Sequence, residues 1–116
     1  MAYGLTNAKG ASGAQAELIW SGSASDVTID YGNYSQLIVC NRYGRTLIDV
    51  PTTDAVNFAI GKRNDNSSGH VCFGIANAKG SVSLTSTGYV SFLAGSAQSI
   101  KEGVLTEIYG IKDALV

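Results

Sequence analysis

"VCFGIANAKGSVSLTSTGYVSFL", residues 71–93, decides the fold. On either side of Asn77-Ala78-Lys79-Gly80, the runs 71–76 and 81–86 alternate apolar with small or polar residues, the period-two pattern of a strand that buries one face. The link between them has hairpin chemistry. A leading Asn accepts hydrogen bonds from the backbone two residues on, and a trailing Gly tolerates the positive φ that closes such turns. Thr87-Gly88 reads as a second, tighter turn before a strand at 89–93, so the whole segment is expected to be a three-stranded meander.

The same signals recur along the chain. Short β-branched and aromatic runs at 17–20, 26–30, 36–41, 46–50, 55–60, 70–76, 81–86, 89–93 and 106–111 are separated by Gly, Asn, Asp and Ser clusters, which is how an all-β chain reads. Pro51 follows the run 46–50, where it would end a strand. Eight or nine short strands in 116 residues predict an antiparallel β-sandwich or jelly roll. The one helical feature expected is a single turn in "GSAQSIKEGV", where Ser99 and Glu102 have capping-box spacing.

The Asn-Ala-Lys-Gly stretch appears twice, in "YGLTNAKGASG" at 3–13 and in "FGIANAKGSVS" at 73–83. The match ends there, with "AQAELIW" against "LTSTGYV", whereas repeat folds sustain at least three units. It therefore reads as one turn chemistry used twice. Residues 1–16, with Gly10, Ala11, Ser12, Gly13 and Ala14, offer little apolar surface and read as an arm ahead of a single β domain over 17–116. Tyr3 and Leu5 are its candidate docking residues in assembly.

Composition narrows the function. Hydrophobic residues make up 45% and charged residues 15% of the chain, as in one ordinary globular domain. Eight basic against nine acidic residues supply no basic face to displace counterions from phosphate, so no nucleic-acid partner is expected. The apolar runs are strand-length, against about 20 residues for a spanning helix, so no membrane insertion is expected. The opening stretch has no apolar core segment after a basic region and does not read as a secretory signal.

Catalytic and metal chemistry find little support. His70 and Cys72 share one face of a strand, but zinc takes three or four ligands. Cys40 and Cys72 are expected as buried small hydrophobes in adjacent strands, with His70 capping a loop. "NDNSSGH" imitates the alternating oxygens of a calcium loop, yet its twelfth position is Ile75 instead of a bidentate Glu, so it reads as a solvated hairpin loop. Asn33-Tyr34-Ser35 and Asn66-Ser67-Ser68 match the glycosylation tripeptide without a secretion signal beside them. There is no Gly-x-Ser-x-Gly elbow and no phosphate-cradling glycine loop. The expectation is a protein without catalytic residues, metal or cofactor.

Two loops carry a different signal. "DYGNYS" at 30–35 and "NRYGR" at 41–45 set Tyr31, Tyr34 and Tyr43 beside Asn and Arg. Rigid amphipathic tyrosines next to planar donors suit sugar or protein contacts. The candidate contact surface is Arg42, Tyr43, Arg45, Tyr31 and Tyr34, with Tyr34 also able to serve as a corner tyrosine anchoring the sandwich. Trp20 closes the apolar run Leu18-Ile19-Trp20 and is expected in the core.

"ELIW" at 17–20, "VTIDYGNYSQLIVC" at 27–40 and "TEIYGIK" at 106–112 together resemble the small β domain that recurs in tail, baseplate and fibre proteins of bacteriophages and prophages. The resemblance implies a virion structural or adsorption protein without catalytic residues. Its expected partners are copies of itself, a trimer being one form, other virion proteins, and a bacterial surface glycan or protein. Such domains usually close a longer chain, and 113–116 follow the closing motif here, so a head-decoration or fibre-tip protein is expected beside a tail module. The alternatives are a monomeric carbohydrate-binding module and a small hydrolase using His70.

Overall fold

The computed structural model describes residues 16–91, 96–100 and 103–112. Tyr3 and Leu5 of the expected arm lie outside these residues. Ala16, assigned above to the arm, already pairs with Ile111 as the first residue of a strand.

Nine strands follow in chain order among the described residues: β1 Ala16–Ala24, β2 Asp26–Thr28, β3 Tyr34–Asn41, β4 Gly44–Asp49, β5 Val56–Arg63, β6 Ser68–Ala76, β7 Ser81–Ser91, β8 Ser96–Ile100 and β9 Leu105–Lys112. They form an antiparallel β-sandwich. One sheet has the order β1-β9-β3-β4, the other β2-β7-β6-β5, with β8 also paired to β7. Since β6 pairs with β7 along its whole length, β2 and β8 share the opposite edge in succession, β2 at 81–83 and β8 at 87–91.

Alternation fills the core. Leu37, Val39, Ile48, Leu105 and Ile108 point in from the first sheet, and Val27, Phe58, Ile60, Cys72, Ala76 and Val82 from the second. The register shifts at several points, between Leu105 and Glu107 and between Ile111 and Lys112 in β9 among them, and two further shifts are bulges. The pairing of β9 with β1 shifts between Ile108 and Tyr109, which leaves Ile19 as an extra residue and lets Ile19 and Trp20 both pack on the core. Trp20 is thus at the margin of the core, half-buried. In β7 the shift between Phe73 and Gly74 leaves Thr85 unpaired, and its hydroxyl donates to the Phe73 carbonyl at 3.1 Å.

Four expectations are corrected. Thr87-Gly88 is not a turn: both residues sit within β7, opposite Cys72 and Val71, so β7 is one long strand and the meander is β5-β6-β7. Thr87 is buried, and its hydroxyl lies 3.5 Å from the Cys72 sulfur. Ser99 does not cap a helix; it pairs with Gly88 in β8, and Glu102 lies outside the described residues. Cys40 and Cys72 are free and buried as expected, but they belong to different sheets. His70 is no loop cap; it sits within β6, between Lys62 of β5 and Tyr89 of β7.

Candidate functional site

The five candidate contact residues divide between the two ends of the sandwich. Tyr31 precedes β3 and Tyr43 follows it, and an eight-residue strand at about 3.3 Å per residue separates them by roughly 26 Å.

At one end, Asn41 and Gly44 pair across a two-residue turn made of Arg42 and Tyr43. The Asn41 side-chain oxygen accepts from the Tyr43 amide at 2.9 Å, the side-chain-to-backbone bond that makes Asn a good turn opener. Gly44 has φ +150 and its α-carbon faces the Ile60 side chain and the Gly61 carbonyl, so the turn folds inward over the second sheet. Tyr43 stacks on His70 there, ring centroids 4.5 Å apart and planes 9° from parallel. The Arg42 guanidinium lies 5.2 Å from the Tyr43 ring centroid, within cation–π range. Asn64 holds the other side of the imidazole, its amide nitrogen 3.0 Å and its oxygen 3.2 Å from Nδ1, the sense of the bond following the tautomer. The result is a layered assembly of Arg42, Tyr43 and His70 bridging the two sheets. Lys62 pairs with His70 and Arg63 with Gly69, so further cations gather at this end.

The only carboxylate in the adjoining 64–67 loop is engaged in closing it. Asp65 Oδ1 accepts from the Ser67 amide and hydroxyl, both at 2.7 Å, and from the Ser68 amide at 2.9 Å. These bonds, led by the Ser67 hydroxyl, hold its carboxyl below the usual carboxylate range. Residues that imitate a calcium loop in sequence therefore build a hairpin turn, and among the described residues no three His, Cys, Asp or Glu gather as a metal site.

Arg45 belongs elsewhere. Gly44 faces inward, so Arg45 points to the outer face of the first sheet, opposite Cys40. Burial pushes the Cys40 thiol up, Glu107 adds to this, and Arg45 opposes it.

At the other end, Tyr31 is a latch. Its hydroxyl donates to the Asn77 carbonyl at 2.6 Å, and burial raises its pKa. The Asn77 side chain accepts from the Lys79 and Ser81 amides at 3.0 and 3.2 Å. Gly80 has φ +97, and the Ile29 carbonyl occupies the place of a β-carbon. The 77–80 turn is therefore docked against the 29–32 loop, and together they line an open cleft of about 400 Å³ that includes Asp30, Tyr31 and Lys79.

Tyr34 opens β3 at the same end, its amide donating to the Tyr31 carbonyl at 2.9 Å, but its side chain serves the sheet and not the cleft. Its ring lies against Gly110, its hydroxyl donates to Glu17 at 3.0 Å, and Lys112 sits 5.9 Å over the ring while pairing with Glu17 at 3.6 Å. It ties β1, β3 and β9 together on the first sheet, so the anchoring role fits it better than the contact surface.

Sequence reasoning missed His70, Asn64, Lys62 and Arg63 as members of the Tyr43 end. A signal was present: His70 shares the parity of Cys72 and Ala76, which places its ring on the interior side of β6. Comparison with known proteins finds no matching family model, no matching curated protein and no matching solved structure.

Proposed function

We propose that this chain is a bacteriophage virion structural protein, at a tail or fibre tip or on the capsid, that assembles as a homo-oligomer and presents the 42–43 turn to an anionic glycan of the host surface. The observation that carries the adsorption reading is the Arg42, Tyr43 and His70 layer, with Lys62 and Arg63 in the adjoining strand. The Tyr43–His70 stack holds the turn rigid beneath Arg42, and the cations around it suit carboxylate or phosphate substituents. The virion reading rests on the resemblance. Glu17, Tyr34, Gly110 and Lys112, drawn from all three of its motifs, meet in one joint, which makes those motifs parts of a single structural unit.

The same turn supports a second reading, a monomeric carbohydrate-binding module. Particles released by the strain that carries the gene separate the two: the chain is expected to co-sediment with them, and purified chain is expected to bind host-surface polysaccharide. Arg42→Ala should weaken that binding roughly tenfold or more, the scale of one charge-assisted hydrogen bond to the anionic substituent. Polysaccharide binding by a chain absent from the particles selects the module, and absence of both discards both readings.

A further inference from the structure

The outer face of the β1-β9-β3-β4 sheet carries an apolar row. Ile108 and Val39 are paired and fully buried, as is Leu37, so their neighbours along the strands face outward. Leu18 pairs with Tyr109, Tyr109 with Ile38, and Ile38 with Leu47. One large side chain from each strand thus lines up across the whole sheet. Leu18 and Leu47 at its two ends are 55% and 54% exposed. The flanking rows differ in charge: Ser21, Glu107, Cys40 and Arg45 on one side, Ala16, Ile111, Gln36 and Asp49 on the other.

We infer that a second copy of this chain seats on this face, sheet against sheet, across a twofold axis running along the apolar row. Such an axis lays the row on itself, Leu47 against Leu47, and exchanges the flanking rows. Arg45 of one copy then meets Asp49 of the other, and the reverse, so the axis creates two symmetric opposite-charge contacts at the β4 end, while Glu107 falls opposite Ile111. Four strands about 4.8 Å apart and five residues at about 3.4 Å cover roughly 300 Å² of flat sheet per copy, well under the about 800 Å² per partner of a standard interface, so the pair is a weak one that exchanges with monomer on dilution. The inference names the contact for the assembly proposed above and rests on that part of the reading.

Sedimentation velocity of the full chain over a wide concentration range tests it, with circular dichroism to show that each variant keeps its fold. Arg45→Asp and Asp49→Arg each set like charges opposite one another at two symmetric places and should each raise the dimer dissociation constant roughly tenfold or more. The double variant restores opposite charges and should recover most of the loss. Leu47→Ser should weaken the dimer, while Phe73→Ser on the other sheet should not. A chain that stays monomeric at the highest concentration overturns both this inference and the homo-oligomer reading. An oligomer whose dissociation ignores the single charge changes, or that the double variant fails to rescue, overturns this inference alone.

Discussion

The two sheets cover one core and turn different faces to the outside. The first presents Leu18, Tyr109, Ile38 and Leu47 in a continuous row. The second presents Asn57, Ala59 and Gly61 from β5, then Val71, Phe73 and Ile75 from β6, then Ser83, Ser86 and Gly88 from β7. There Phe73 is set between Ala59 and Ser86, and Asp26 accepts from the Ser81 and Ser83 hydroxyls at 3.0 and 2.8 Å. The inward faces obey one rule, burial of alternate residues, so the outward difference has no origin in the core. The first sheet's apolar side chains run across all four strands, as the pairing inferred above requires, whereas the large apolar side chains named on the second come from β6 alone.

The glycines of the two sheets should break differently. Gly74 pairs with Phe58 and lies under its ring, and an added β-carbon there would also come within 2.6 Å of the Ser83 carbonyl. Because the obstacle includes backbone, Gly74→Ala is expected to cost about 3 kcal/mol, the upper part of the overpacking range, seen as a lower denaturation midpoint. Gly110→Ala meets only the Tyr34 ring, which can swing aside by giving up Glu17. Its cost should be nearer 1 kcal/mol. A larger loss at Gly110 than at Gly74 would reverse the view that the second sheet is the more tightly locked.

Acid sharpens the comparison further, with a smaller effect. Hydrogen bonds from Ser83 and then Ser81 favour the charged form of Asp26, so its folded pKa lies below the ordinary 3.8. That contribution is complete above the ordinary value and is lost as pH falls through the lower folded value. Asp26→Asn should therefore be less stable than the parent at neutral pH, with the gap closing below about pH 4. A gap that stays constant down to pH 2 would mean that the serine bonds do not depend on ionisation.

Eight of the strands were legible because β-branched and aromatic residues mark them, as in "QLIVC" and "NFAI". β8 was not, since "SAQSI" is small and polar and owes its strand conformation to the unpaired edge of β7. Gly88 misled for a related reason: in sequence a glycine after threonine reads as a turn, whereas here β6 and β8 hold it in line from both sides. The Asn77 turn was legible because its chemistry is local. The grouping of the tyrosines was not, since Tyr43 looks like a neighbour of Tyr31 and Tyr34 until β3 is drawn between them. His70 and Tyr43 meet only across the sandwich, a contact that no spacing along the chain encodes.

The place of β9 sets an order of events during synthesis. The β5-β6-β7 meander joins segments that are neighbours in sequence and can pair as they leave the ribosome. β1 and β3 cannot, because β9, the strand that stands between them, follows every other described strand along the chain. For most of translation the first sheet therefore exists as two separate ribbons with open edges, one of them carrying Leu18 and the other Ile38 and Leu47. Only when Leu105–Lys112 slides in, with Gly110 passing beneath Tyr34, does the apolar row become continuous. A surface of this kind is absent until β9 is in place, so the pairing inferred above would have to wait for that strand, and a chain cut short before Leu105 would lack the row that carries it.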